Sequence, residues 1–233
     1  MEKFCAIIPN RPGRELLYSN CLRQLNRMTR KPGKIYNINF SPKTESVDIG
    51  DRINEGVKLA KIEGFDLCYC IENDDAYPID YFERFGNMEA DFFGDENTIY
   101  YHLTQRAWEL TSHQRRSSLF TTGFRISALK DFIFPTNTPF VDIALWKHAQ
   151  WTKGKKMFVD SGAVGIKGHG IGKMGGKGHQ QNMPNKDYDL KWLKSHINNE
   201  SFKFYHDYFI NNTERGEPFS GTKYFSWQEL KHI

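Results

Sequence analysis

The sequence predicts an α/β fold in which a mostly parallel central sheet is flanked by helices. Three observations carry that expectation. Strand and helix signals alternate through the first hundred residues, Gly and Pro punctuate the changes, and 39% hydrophobic and 15% aromatic residues in a 233-residue chain supply a core. "KFCAIIP" is a short apolar run closed by Pro and reads as a buried strand. "RELLYSNCLRQLNRM" places Leu17, Cys21, Leu25 and Met28 on one face of a helix. A Pro-Gly turn then leads into "KIYNINF", a second strand. "DRINEGVKLAKIEG" repeats the helical spacing through Ile53, Val57 and Ala60 and stops at Gly64, after which "FDLCYCI" is a third strand. The order βαβαβ implies right-handed crossovers and a sheet covered on both faces. In such sheets ligands bind beyond the carboxyl ends of the strands.

Pro78 opens a helix over "PIDYFERFGNM"; "ADFFG" and "NTIYYHL" read as strands, and "SSLFTTGFRISAL" as a strand or strand-turn element. "PFVDIALWKHAQ" is a helix after a Pro-rich turn, "KKMFVD" and "AVGIK" are strands, and the polar C-terminal region is helical. With no internal repeat and no linker, residues 1–233 are expected to form a single domain. Its first hundred residues bind one substrate, residues 101–185 complete the site, and residues 186–233 are a helical extension.

Several classes are set aside by composition. No apolar run reaches the roughly 18 residues of a membrane span, and "MEKFCAIIPN" lacks a small-residue cleavage site, so a cytoplasmic location is expected. Cys5, Cys21, Cys68 and Cys70 contain no zinc-type CxxC pair and are expected to be buried reduced thiols. The net charge of +4 hides segregation: residues 1–40 hold eight basic and two acidic groups, 41–100 five and fifteen, and 101–180 twelve and four. The basic third quarter suits an anionic ligand such as a polyphosphate or nucleic acid, and equally a solvated face.

The stretch "CYCIENDDAYP" sends a buried strand into Glu72, Asp74 and Asp75. Clustered carboxylates at a strand end are costly unless water or a cation neutralises them. Oxygen donors at this density suit Mg2+ or Mn2+.

"CYCIENDDAYPIDYFERF" resembles the central motif of GT-A fold glycosyltransferases, especially family 2, in which a strand ends in a DxD-type or DD motif followed by a Pro-led helix. "AIIPNRPGRELLYSNCLRQL" is similar to that family's first strand and nucleotide-binding start, and "GDRINEGVKLAKIEGFD" to its "RNxGxxxAxGxD" stretch, with Arg52, Asn54 and Gly56 matching. The resemblance spans residues 4–150 and implies a GT-A-like, Rossmann-like domain that takes a nucleotide-diphosphate sugar donor with Mn2+ or Mg2+. It departs from the family at Glu72, where many members have Asp. By this resemblance Asp74 and Asp75 are candidate metal ligands, and Pro9, Arg11, Arg52, Glu72 and Asp74 candidate donor contacts. The cation would stabilise charge building on the leaving diphosphate.

"TPFVDIALWKH" resembles the family's helix-opening "ED" motif, which assigns Asp142 as the general base of an inverting transfer; its alternative role is to stabilise the helix N-terminus. "GIKGHGIGKMGGKGHQQN" matches neither a Rossmann nor a Walker A loop. It resembles the mobile late loop of GT-A enzymes, offering His169 or His179 to the metal and Lys173 and Lys177 to phosphate. By position, Gly123, Phe124 and Arg125, together with Trp108, are candidate acceptor contacts. Two acceptor classes fit: a glycan or small hydroxylated molecule, and a hydroxymethylated DNA base. A nucleotidyltransferase and a non-catalytic nucleotide-sugar binding protein are the alternative functions.

Overall fold

The computed structural model describes residues 3–41, 47–86, 89–171 and 183–211. The predicted βαβαβ start is present as β1 (Phe4–Pro9), α1 (Glu15–Arg27), β2 (Lys34–Ile38), α2 (Ile49–Ile62) and β3 (Leu67–Cys70). The helix expected from Pro78 is one turn, α3 (Tyr81–Arg84), beginning three residues later than the sequence suggests. Then come β4 (Phe92–Gly94), β5 (Asn97–His102), β6 (Ala107–Ser112), a 3-10 turn at Leu119–Thr121, β7 (Gly123–Arg125) and α4 (Ile126–Leu129). The remainder is α5 (Val141–Trp151), β8 (Lys156–Phe158), β9 (Val164–Lys167), β10 (Asn185–Lys186), α6 (Lys191–His196), α7 (Asn199–Tyr205) and a π-turn over His206–Ile210.

The main sheet runs β2-β1-β3-β7-β4-β8. All its strands are parallel except β7, which pairs antiparallel with both β3 and β4. A second sheet, β10-β6-β5-β9, joins β9 parallel to β5. It contains β6, a strand that the sequence reading did not anticipate and that returns from β5 as a hairpin through Arg106 at φ 45°.

Alternation along β1 and β3 explains the layering. Phe4, Ala6, Ile8, Leu67, Tyr69 and Ile71 face Cys21 and Leu25 of α1 and Met28 just after it, while Cys5, Ile7, Cys68 and Cys70 face Ile53 and Ala60 of α2 and Val141, Leu145 and Ala149 of α5. All four cysteines are free and buried, with the Sγ atoms of Cys5 and Cys68 3.2 Å apart. Burial pushes the Cys21 and Cys70 thiols up, so they remain protonated core groups. A third cluster packs α6 and α7 against the second sheet through Leu193, Phe204, Tyr205, Tyr101 and Ile166. Among the described residues no helix is long and apolar enough to cross a membrane.

Candidate active site

The chain leaves β3 at the carboxyl edge of the sheet and passes through Glu72, Asn73, Asp74 and Asp75 before bridging to β9 at Ala76 and Val164. One carboxylate oxygen from each of Glu72, Asp74 and Asp75 lies within 4.8 Å of the others. Two of the three carboxylates are buried, and the surroundings treat each differently.

Asp74 is held by two cationic or donor groups. Arg14, just before α1, places Nη2 2.7 Å from Oδ2, and His169 Nε2 is 2.9 Å from the same oxygen. Burial pushes the Asp74 carboxyl up, yet Arg14, His169 and Lys167 outweigh it and keep the group well below the usual carboxylate range. The His169 ring accepts the Ile171 N–H on Nδ1 at 3.1 Å, which puts the ring proton on Nε2, facing Asp74. Burial dominates over Asp74 in lowering the His169 pKa, so this imidazole is neutral near pH 7.

Asp75 is fully buried; its Oδ1 accepts the Ile166 N–H at 2.8 Å and lies 3.8 Å from Lys167 Nζ, while its Oδ2 has no hydrogen-bond partner. Burial pushes this carboxyl well up against the opposing pull of Lys167. Glu72 is also raised, first by burial and then by Asp74 and Asp142, with Lys167 and Arg14 opposing. The Lys167 ammonium, 8% exposed, is pushed down by burial but held up more strongly by Asp75, Glu72 and Asp74.

Asp142 lies in the first turn of α5, where Arg116 Nη1 is 2.9 Å from its Oδ2. Burial raises its pKa and Arg116 partly offsets the rise. Its field reaches Glu72, so the predicted base and the carboxylate loop share one electrostatic environment.

The other predicted residues separate into two groups. Pro9 ends β1 opposite Ile38 at the same sheet edge, and Arg11 donates Nε to Asp48 at 2.8 Å from a partly exposed position. Arg52 is 1% exposed and donates to Ile38 O at 3.0 Å, Phe40 O at 2.7 Å, Asp48 Oδ2 at 2.6 Å and Asn10 O. With its guanidinium directed at these acceptors, Arg52 ties the ends of β1 and β2 together. Gly123, Phe124 and Arg125 form β7, and register puts Arg125 opposite Leu67, at the start of β3 and away from the acidic loop. Phe124 is fully buried, a Cβ on Gly123 would lie 1.9 Å from the Phe93 ring, and Arg125 Nη1 lies 3.4 Å from Asp66 Oδ2. These three residues build the sheet, with Gly123 opposite Tyr69 near the carboxyl end of β3. Trp108 stacks on Trp192 at 4.6 Å, and Trp192 in turn stacks on His196 at 3.8 Å, so the predicted acceptor-facing ring is packed against α6. His179, Lys173 and Lys177 lie outside the described residues.

Arg14 and Lys167 are the site residues that sequence reading missed. Each adjoins the carboxyl end of a buried strand, β1 or β9, and a cation there was the available signal. Asn73 was also passed over; it donates Nδ2 to Asn10 Oδ1 at 2.6 Å and holds the acidic loop against the end of β1.

Comparison with solved structures adds the frame. S. aureus TarS 1-349 in complex with UDP-GlcNAc superposes with a TM-score of 0.53 at 13% identity, covering 71% of this chain and 58% of TarS 1-349. The UDP complex of the same TarS fragment gives 0.51 at 12% identity, covering 72% and 61%. The chain has the GT-A fold. It spans about three fifths of the TarS fragment's length. A Desulfovibrio desulfuricans G20 protein provisionally described as a nucleotide-diphospho-sugar transferase matches over 93% of this chain and 99% of its own at 13% identity, but its TM-score of 0.45 adds nothing to the assignment. No family model and no curated protein matches the chain.

Proposed function

We propose that this GT-A protein is a metal-dependent, inverting glycosyltransferase that moves a sugar from a nucleotide-diphosphate donor to an acceptor hydroxyl. The observation that carries the reading is the convergence of Glu72, Asp74, Asp75 and His169 at the carboxyl edge of the sheet, within electrostatic reach of Asp142. Three clustered carboxylates, one of them with a buried oxygen that no hydrogen bond satisfies, are a donor set that fits Mn2+ or Mg2+. Glu72, Asp74 and Asp75 would hold the ion, while His169, with Nδ1 taken by the Ile171 amide, orients Asp74 through its Nε2–H. When bound, a divalent cation supplies positive charge against the leaving diphosphate.

The chain's own groups account for the rest. Arg14 and Lys167 place positive charge against the carboxylate loop, which lessens the repulsion that the acids exert on an incoming diphosphate. Asp75 anchors the loop to β9 through the Ile166 amide. Ionised Asp142 takes the proton of the acceptor hydroxyl as its oxygen bonds to the anomeric carbon and the sugar–phosphate bond breaks. Arg116 fixes the carboxylate and opposes the rise in its pKa that burial causes.

The test is thermal shift and donor hydrolysis with UDP-, GDP- and dTDP-sugars, each with and without Mn2+. A metal-dependent stabilisation by at least one nucleotide sugar is expected. Absence of any such stabilisation across the three donor classes overturns the reading.

A further inference from the structure

A groove of about 460 Å³ lined by Asp95, Glu96, Ile99, Leu110, Phe158 and Asp160 has no place in the reaction derived so far. Register fixes its position. Tyr69 pairs with Gly123, Gly123 with Phe93, and Gly94 with Phe158. Asp95 and Asp160 therefore follow β4 and β8 at the edge where the Glu72–Asp75 loop leaves β3.

The groove is tied to the proposed base from two sides. On one, residues 115–117 act as a strap: the Arg115 N–H donates to Glu96 Oε1, Arg116 pairs with Asp142 at 2.9 Å, and Ser117 Oγ accepts the Asp95 N–H at 2.9 Å. On the other, Phe158 stacks at 5.2 Å on Trp146 of α5, the helix whose first turn carries Asp142. A molecule lying in the groove thus meets the residues that brace both elements holding the base.

The lining states what that molecule is. Leu110 is 58% exposed, and with Ile99 and Phe158 it gives apolar surface for the C–H faces of sugar rings. Asp95 accepts the Ser161 N–H at 3.1 Å and the Ser161 O–H at 2.8 Å, and Asp160 accepts the Gly162 N–H at 3.0 Å. Asp95 is buried, with both oxygens used and its carboxyl raised by burial, so it braces the groove, whereas the half-buried Glu96 and the exposed Asp160 offer carboxylate oxygens, acceptors suited to hydroxyl groups. The same charges repel phosphate.

We propose that this groove binds the acceptor, and that the acceptor is an uncharged, polyhydroxylated glycan and not a nucleic acid. The proposal rests on the glycosyltransferase reading and narrows its acceptor to one of two classes.

The test is binding of a panel of neutral oligosaccharides, read by saturation-transfer NMR, and of a short DNA duplex, read by fluorescence anisotropy, to the full chain. At least one oligosaccharide is expected to bind, and both Leu110→Asp and the pair Glu96→Lys with Asp160→Lys should weaken it about tenfold, while the charge reversal tightens the duplex by a similar factor. Stabilisation by nucleotide with Mn2+ is measured on every variant as the control for folding. Failure of every oligosaccharide, binding unchanged in the variants, or tighter binding of duplex than of any sugar to the unmodified protein each overturns the proposal. If nucleotide stabilisation persists while sugar binding fails, only the acceptor assignment falls. Loss of nucleotide stabilisation in the unmodified protein removes the glycosyltransferase reading with it.

Discussion

Single side chains at this site are separated by what neutralises them, and their responses to pH and substitution follow. Asp142 has a raised pKa because burial outweighs Arg116. A base works ionised, so transfer should rise with pH through a midpoint above the ordinary carboxylate range. Arg116→Leu removes the opposing cation and should move that midpoint further up, whereas a residue that merely capped α5 would leave the profile unmoved. Asp142→Asn should retain the nucleotide-dependent thermal shift and lower kcat by about 10²–10⁴-fold. Lys167→Met leaves Asp75 buried with only the Ile166 amide, and urea unfolding near neutral pH should show a loss of about 3 kcal/mol. The folded pKa of Asp75 is raised, so its contribution to stability is present below the unfolded carboxylate value and lost as pH rises through the folded one. The deficit of Lys167→Met should therefore shrink as the pH is lowered, and a deficit independent of pH would separate Lys167 from Asp75.

At the scale of elements, β1, β3, α1 and α2 are where sequence and structure agree, because periods of two and 3.6 residues are local properties that burial on a covered sheet then enforces. Gly56, part of the α2 stretch resembling the GT-A family, has a physical role: a Cβ there would lie 2.4 Å from Ile7 Cγ2, so the glycine lets α2 rest on β1. Gly56→Ala should destabilise the protein by about 1–3 kcal/mol through overpacking, as read from the midpoint of chemical unfolding. The β6 strand escaped notice because "AWELTS" lies in a stretch whose Arg and Trp suggested ligand contacts. Only pairing with β5 and β10 shows its exposed Leu110 and its Trp108 to be parts of a sheet. The β7 residues are the converse case. Their position between two site motifs in sequence placed them near an acceptor, but antiparallel pairing carries Arg125 to the other end of β3.

On the scale of the molecule, the C-terminal helices are coupled to the carboxylate loop. Tyr205 of α7 is fully buried and donates its hydroxyl to the Asp74 carbonyl at 3.0 Å, while Phe209 packs edge-on against His169 at 6.3 Å. Tyr205→Phe deletes that hydrogen bond while keeping the ring. It should weaken Mn2+-dependent nucleotide binding by about 1 kcal/mol, measured by calorimetric titration. Unchanged affinity in a folded variant would show that α7 only covers the site. The helical character of this region was legible from its composition, but its contact with residue 74 was not, since nothing local relates two positions 131 residues apart.

The sequence by itself determined the layered α/β architecture, the delivery of Glu72, Asp74 and Asp75 to a strand end, and the helix-opening position of Asp142, all encoded within windows of a few residues. Tertiary structure decided how those charges are partnered. His169 meets Asp74 across 95 residues and Ile166 meets Asp75 across 91, while Arg52, a candidate nucleotide contact in sequence, is drawn inward by carbonyls at the ends of two strands. Hydrophobic periodicity is read locally, whereas the electrostatic state of a buried group depends on every charge within a few ångströms, and chain topology alone brings those together.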